Sequence, residues 1–139
     1  MAHKLSALID LNVIVDVLQH RDPFYVPSAR VLAHAESGRV EAWVAAHSLT
    51  TLFYLLVKDR SVEQARVSIG ELLSFLSVAA VDQRVIERAL ALPYTDFEDA
   101  VQMMAAAEAG INYLITRNVR DYRAGPLPVL QPSELLALI

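Results

Sequence analysis

The chain has 139 residues, a formal net charge of −4 and no cysteine. Its length suits one ordinary domain, and the lack of cysteine excludes disulfides and thiolate zinc sites. The acidic balance excludes a broad basic surface for nucleic acid, and the 55% content of hydrophobic residues excludes an intrinsically disordered chain.

The first half of the sequence alternates short apolar runs with segments of helical spacing. An apolar run that ends at Asp10 is typical of a buried strand. We expect Asn12 to cap the helix that follows, and Ser48 or Thr50 to cap the helix after the second strand. The predicted elements are a strand at 5–9, helices from 12 and at 28–37, a strand at 40–46, and helices at 49–57 and 62–76.

The second half continues this alternation. Asp82 is predicted to cap one helix, and Thr95 or Asp96 to open another that stops at Gly110. The predicted elements are a strand at 78–81, helices at 85–92 and 96–108, strands at 111–115 and 128–130, and a helix at 133–138. Because alternating strands and helices imply right-handed crossovers, we expect an α/β fold, a three-layer α/β/α arrangement with a short central parallel sheet, in one domain over residues 1–139.

The sequence carries no sign of a membrane or export signal. No apolar run reaches the roughly 18 residues that a membrane span requires. The chain from Met1 to Leu5 leads almost directly into the first predicted strand, which leaves no room for a signal peptide. We therefore expect a cytoplasmic protein that does not bind membranes.

Acidic residues follow the predicted strands at the edge where ligands bind in open α/β sheets. Asp10 follows the first strand, Asp99 lies in the first turn of the helix after Asp96, and Asp121 comes shortly after the strand that ends at Ile115. Crowded carboxylates repel each other unless a cation neutralises them. Oxygen ligands favour Mg²⁺ or Mn²⁺ over zinc, and such ions activate water for the cleavage of a phosphodiester.

Each of these acidic residues also has a purely structural interpretation. Asp10 ends a strand, where no capping role is expected, so we interpret it as functional. For Asp96 and for Asp99, a role in capping the helix and a functional role are about equally expected. Glu98 is more simply explained as a partner of the helix dipole, and Asp16 as a solvated helix residue.

Among the basic side chains, the arginines give a weak indication of nucleic-acid binding, and the histidines give no indication of metal binding. Arg117, Arg120 and Arg123 fall within seven residues, and a solvated loop is the simpler interpretation. The alternative is a small patch in which Arg117 and Arg120 contact the phosphates of nucleic acid. Histidines 3, 20, 34 and 47 show no spacing typical of metal ligands, and we interpret them as incidental.

Three segments together resemble the PIN-domain family, which includes the toxins of bacterial and archaeal toxin–antitoxin pairs. Asp10-Leu11-Asn12-Val13 is similar to the opening D-x-N-V element, and residues 95–100 to the segment of the third acidic position, which falls on Asp99. Residues 115–118 with Asp121-Tyr122 resemble the late T-R-x…D-F element. Their order and spacing match from about Leu5 to Leu130.

The resemblance implies a ribonuclease dependent on Mg²⁺ or Mn²⁺ that cleaves single-stranded RNA with a metal-activated water. It implies that Asp10 and Asp99 hold the metal and that Asp121 or Asn118 completes the site. It also implies that groups behind the ligands orient carboxylates or water; these are Asn12, Thr116, Asn118 and Asp96. A small antitoxin protein and a homodimer are the partners that this resemblance suggests.

The sequence departs from the family pattern in ways that leave a second function open. The family's second acidic residue normally lies in the helix after the second strand, but residues 48–55 contain no carboxylate. Leu11 stands where a threonine is usual, and Asn118 where many members carry aspartate. The alternative is therefore a catalytically weak PIN-like module that binds RNA or protein.

The positions of the two lysines disfavour two other classes of protein that carry an aspartate at a strand end. A receiver domain or an aspartyl phosphatase needs a lysine after a late strand, and neither Lys4 nor Lys58 is placed there.

The aromatic residues Phe53, Tyr54 and Phe75 suit a partner groove or a dimer surface, although ordinary core is the simpler interpretation.

Overall fold

The structure, a computed structural model, describes residues 4–139 and contains one sheet of five strands. The strands are β1 (Ser6–Ile9), β2 (Glu41–Ala45), β3 (Leu76–Ala79), β4 (Tyr113–Ile115) and β5 (Val129–Leu130). Their order is β3-β2-β1-β4-β5, and every neighbouring pair is parallel. The predicted short parallel sheet is confirmed, whereas the expectations for Met1–His3 lie outside the described residues.

Helices cover both faces of this sheet. They are α1 (Leu11–Leu18), α2 (Tyr25–Glu36), α3 (Ala46–Asp59), α4 (Val62–Leu73), α5 (Gln83–Ala89), α6 (Phe97–Glu108) and α7 (Pro132–Leu136), with a 3-10 helix at Val119–Tyr122. No helix within residues 4–139 is long and apolar enough to cross a membrane.

Alternate side chains of β1 enter two separate cores. Ala7 and Ile9 pack in the core formed with α1, α2, α3, α4 and α7. Leu8 points to the opposite core, where Met103 and Leu114 also lie. Successive residues of a strand face opposite sides of its sheet, so the continuous apolar run of β1 reflects burial on both faces. The three-layer α/β/α arrangement is therefore confirmed.

The chain reverses its direction of travel across the sheet at β1. From β1 it proceeds to β2 and β3 on one side, and then returns to add β4 and β5 on the other. In parallel sheets such a switch point opens a crevice beyond the carboxyl ends of the strands. Asp10 and Thr116, the residues that follow β1 and β4, are thereby placed side by side.

Two predicted helix caps are wrong. Helix α1 begins at Leu11 with Asp10 in the N-cap position, so Asn12 lies inside the helix. Helix α3 begins at Ala46, so Ser48 and Thr50 also lie inside, and the hydroxyl of Thr50 donates back to the His47 carbonyl at 2.9 Å. Both helices start directly at the end of a buried strand, and neither uses a polar side chain as a cap.

Other predicted boundaries agree better with the structure. Asp82 caps α5 by accepting from the amide of Val85 at 3.0 Å, and Gly110 follows α6 with a φ of +72°. The helix expected over 62–76 ends at Leu73 instead, and Leu76 opens β3. An apolar residue at position 76 fits the helical stripe and the strand equally well, so periodicity alone did not separate them.

Candidate active site

A cleft of about 400 Å³ lies at the carboxyl edge of the sheet. It collects most of the side chains that the sequence singled out: Asp10, Asn12, Asp96, Asp99, Asn118 and Asp121. Thr116 lies buried beside them. Arg117 and Arg120 line a separate depression of about 280 Å³. Asn118 and Asp121 line this depression as well as the cleft. The residues predicted to bind a metal and those predicted to contact RNA therefore occupy adjoining but distinct surfaces.

The Thr116 hydroxyl is hydrogen-bonded to one oxygen of the Asp10 carboxylate. Its Oγ1 donates to Oδ2 of Asp10 at 2.7 Å, and it accepts from Nδ2 of Asn12 at 3.2 Å and from the backbone amide of Asn118 at 3.1 Å. Because the oxygen already accepts two hydrogen bonds, its single proton is directed at Asp10. The orienting role that the resemblance implies for Thr116 and Asn12 stays a prediction, for which this contact supplies the geometry.

A tyrosine that sequence reasoning missed lies between the two main carboxylates. The hydroxyl of Tyr122 is 2.9 Å from Oδ1 of Asp99 and 3.3 Å from Oδ2 of Asp10. Nε2 of Gln102 donates to the same hydroxyl at 2.5 Å. The signal in the sequence was Gln102 itself, a lone polar residue in the apolar run 100–106, because a buried amide requires a partner.

The surroundings of Asp99 disfavour its negative charge. The pKa of Asp99 is raised from 3.8 to about 6, mainly by burial, and the hydrogen bond from Tyr122 opposes this increase. The negative charges of Asp96, Asp10 and Asp121 raise the pKa further. The pKa of Tyr122 is also raised, by its burial and by the same two carboxylates that it contacts. The cleft therefore has a negative potential that a cation would relieve.

The oxygen atoms at this edge fit a hard divalent cation. Side-chain hydrogen bonds within residues 4–139 use Oδ2 of Asp10 and Oδ1 of Asp99, which leaves the second oxygen of each carboxylate for a ligand. Oδ1 of Asn12 is buried and has no hydrogen-bond partner in the described part of the chain. In that same part, no three side chains of His, Cys, Asp or Glu are grouped closely enough to hold one ion. The contribution of Asp121 thus stays a prediction.

Helix α3, which lacks the expected carboxylate, places His47 and Ser48 on the cleft. Nε2 of His47 lies 3.2 Å from the carbonyl oxygen of Glu98. Since a carbonyl only accepts, Nε2 is the donor in this contact. Nδ1 of His47 is buried and unpartnered among residues 4–139. The interpretation of His47 as incidental missed its position on the cleft.

The sequence interpretation of Asp16 as a solvated residue is wrong. Asp16 is fully buried, with 0% exposure, and the guanidinium of Arg117 binds both of its oxygens, Nε to Oδ2 at 2.7 Å and Nη2 to Oδ1 at 3.2 Å. The same guanidinium lies over the ring of Phe24, 4.3 Å from its centroid. The interpretation of Arg117 as part of a solvated loop is therefore also wrong, because it anchors the segment after β4 to α1.

Two other arginines are better placed than Arg117 to reach a ligand. Arg120 is exposed, and Arg21, which sequence reasoning missed, lines the cleft itself. Arg21 follows α1 after the turn at 19–20, so its closeness to the acidic residues depends on the tertiary fold rather than on any local pattern. Its Nη2 donates to the side chain of Gln19 at 2.5 Å.

The chain is similar to proteins of known class along most of its length. Ribonuclease VapC1 of Aquifex aeolicus (strain VF5) is 24% identical over 134 residues, which covers 93% of this chain and 92% of the relative. A chain of a toxin–antitoxin complex from Klebsiella pneumoniae superposes with a TM-score of 0.70 at 23% identity, covering 91% of this chain and 97% of that one. The VapBC-1 structure from nontypeable Haemophilus influenzae gives 0.69 at 15% identity, covering 93% and 99%.

The structural matches, all below 25% identity, establish the likeness of the fold. Membership rests on the sequence, because the model of the PIN domain family matches residues 6–120. That range contains β1, α6 and β4 together with the acidic positions Asp10 and Asp99. The chain therefore belongs to the PIN domain family.

Proposed function

We propose that this protein is a ribonuclease that cleaves single-stranded RNA with the help of Mg²⁺ or Mn²⁺. The observation that carries the proposal is the convergence of Asp10 and Asp99 on one hydroxyl in a cleft of negative potential. The name of the relative from Aquifex aeolicus, a ribonuclease matched over nearly its whole length, supports the same activity.

In this proposal the ion is held by Asp10 and Asp99, and Asp121 completes the site from the rim of the cleft. A bound divalent ion supplies a water of lowered pKa and stabilises the charge that develops on the phosphate. Thr116 and Asn12 keep the Asp10 carboxylate in one orientation. Asp96 caps α6 by accepting from the amide of Asp99, which fixes the first turn that carries the second ligand.

The size of the cleft supports a single strand as the substrate. A volume of about 400 Å³ admits an extended backbone with splayed bases, which is how proteins generally recognise single-stranded RNA. Arg21 lines this cleft and Arg120 is exposed on the adjoining surface. We propose that these two arginines contact phosphates, since the guanidinium of Arg117 is already bound to Asp16.

We further propose that the chain acts as one domain over residues 1–139, as the toxin of a toxin–antitoxin pair, and that it forms a homodimer. The structural relative from Klebsiella pneumoniae supports the antitoxin, because that structure is of a toxin–antitoxin complex. Exposed apolar side chains on α3 and α4 support a protein partner, and these are Tyr54, Val62, Val67 and Leu73. The core interpretation suits Phe53 and Phe75, which pack against the buried core, but Tyr54 is 70% exposed.

Calorimetric titration with Mn²⁺ tests the activity proposal, together with cleavage of a mixed pool of single-stranded RNA. The native protein should bind the ion saturably and cut RNA, and Asp99→Asn should lose both. Asp59→Asn, which removes an exposed carboxylate at the end of α3, should retain both. A native protein that binds no Mn²⁺ and leaves RNA intact would favour the alternative, a module that binds RNA or protein with little catalysis.

A further inference from the structure

The hydroxyl of Tyr122 is shared by two carboxylates that come from different parts of the chain. Asp10 follows β1 and Asp99 belongs to α6, while Tyr122 ends the 3-10 helix. The hydroxyl lies 3.3 Å from Oδ2 of Asp10 and 2.9 Å from Oδ1 of Asp99. Two carboxylates that contact the same hydroxyl are close enough to repel each other. The phenolic proton lies between them and is the hydrogen-bond donor that they share.

Gln102 directs that proton toward the carboxylates. Its Nε2 donates to the Tyr122 oxygen at 2.5 Å, and an amide nitrogen of this kind only donates. The other neighbours of the phenol are carboxylate oxygens, which accept, so the phenol donates to them. Asp99 at the shorter distance takes the larger share of the hydrogen bond, and Asp10 at the longer distance takes the smaller share.

The ring of Tyr122 is held so that the hydroxyl stays between the two acids. The residue is 3% exposed, and its ring meets that of Tyr94 edge-on, with centroids 5.9 Å apart and an interplanar angle of 86°. The hydroxyl of Tyr94 donates to the backbone carbonyl of Tyr122 at 2.9 Å. Side chain and backbone are thus both fixed by groups that do not touch either carboxylate.

We propose that the Tyr122 hydroxyl, aimed by Gln102, is a positioning group that sets the separation of the Asp10 and Asp99 carboxylates for a divalent cation. The inference rests on the proposed function, in which these two residues hold the ion. It explains how the pair stays together although residues 48–55 of α3 contain no carboxylate.

The variant Tyr122→Phe tests the inference, because it removes the hydroxyl and keeps the ring. We expect the dissociation constant for Mn²⁺, measured by calorimetry, to rise by roughly 10- to 100-fold, which is typical when a group that orients a metal ligand is lost. Tyr54→Phe is the control: it removes the hydroxyl of a tyrosine that is 70% exposed on α3 and does not line the cleft. Its affinity for Mn²⁺ should equal that of the native protein.

A double-mutant cycle assigns the role of Gln102. Gln102→Leu alone should weaken Mn²⁺ binding, and it should have no further effect in the Tyr122→Phe background if it acts through the hydroxyl. An additive effect would show that Gln102 does not act through Tyr122. Native-like or tighter binding by Tyr122→Phe would overturn the whole inference, since the hydroxyl would then pack in the core or compete with the ion.

A measurement without metal separates this inference from the proposed function. The melting temperature is measured in the presence of a chelator. Tyr122→Phe should lower it more in the native protein than in Asp99→Ala. In Asp99→Ala the Tyr122 hydroxyl has already lost its main acceptor. Equal decreases in the two backgrounds would overturn the link between Tyr122 and Asp99. If the native protein bound no Mn²⁺ but the decreases differed, the proposed function would fail while the link between these residues would stand.

Discussion

The hydroxyl of Thr116 donates a 2.7 Å hydrogen bond to Oδ2 of Asp10, across 106 residues of sequence. The bond joins the residue after β1 to the residue after β4, and these two strands are neighbours in the sheet. The same oxygen accepts from the side chain of Asn12 and the backbone of Asn118. One buried hydroxyl therefore fixes three groups at the cleft.

Replacing that hydroxyl with a methyl group should destabilise the protein. For Thr116→Val we expect the free energy of unfolding to fall by about 1–3 kcal/mol, because the amides of Asn12 and Asn118 lose their acceptor in a buried place. Urea denaturation measures the loss. Thr116→Ser keeps the hydroxyl and should retain most of the stability. A smaller loss for Thr116→Val than for Thr116→Ser would instead show that the methyl group, through packing, contributes more than the hydroxyl.

The buried pair of Asp16 and Arg117 predicts a non-additive double mutant. Arg117→Leu leaves the fully buried Asp16 carboxylate without its partner, which should cost about 3 kcal/mol of unfolding free energy. The double variant Asp16→Leu with Arg117→Leu removes the unpaired charge and should be more stable than Arg117→Leu alone. Chemical denaturation of the native protein and the three variants provides the comparison. A double variant less stable than both single variants would contradict this account.

The raised pKa of Asp99 predicts a specific pH dependence of stability. Its carboxyl titrates at about 6 in the folded protein and at an ordinary 3.8 when unfolded, so the folded state binds this proton more tightly. Its contribution to stability is therefore present below pH 4, decreases as the pH rises from about 4 to about 6, and is absent above that range. Melting temperatures in metal-free buffers should show a smaller decline over this window for Asp99→Asn. Parallel profiles for the two proteins would argue against the shift.

RNA binding should depend on Arg21 and Arg120. Changing either arginine to glutamine should remove one phosphate contact. The affinity for single-stranded RNA should therefore fall, and the plot of log affinity against log salt concentration should become shallower by about one unit of slope. Fluorescence anisotropy in a chelator measures binding without cleavage. Arg66→Gln, on α4, is the control and should bind RNA as the native protein does. A full loss of affinity for Arg66→Gln would move the RNA surface away from the cleft.

Local patterns were sufficient to predict the fold and the acidic core of the site. Apolar runs that end in polar residues marked the strands, and parallel topology then placed Asp10, Asp99 and Thr116 at one edge. The resemblance supplied the order of the motifs, and the family match confirmed it. The roles of these side chains in catalysis stay predictions that the experiments above address.

The features that were missed depend on contacts between distant residues. Residues 13–16 are all buried, and a helix enclosed on every side leaves no polar stripe from which the burial of Asp16 could be inferred. The partners of Tyr122 come from α6 and from the end of β1, so no spacing within its own segment indicates them. The assignment of Asn12 as a cap failed because α1 begins at the very end of β1.

The pairing of β1 with β4 also determines when the cleft can form during the synthesis of the chain. Asp10 emerges from the ribosome first, but the strand beside it and the residues Thr116 and Tyr122 follow more than 100 positions later. A partly synthesised chain therefore contains neither the completed sheet edge nor the contacts that hold Asp10 in place. The cleft is therefore a property of the finished chain, and a chain that stops before β4 cannot assemble it.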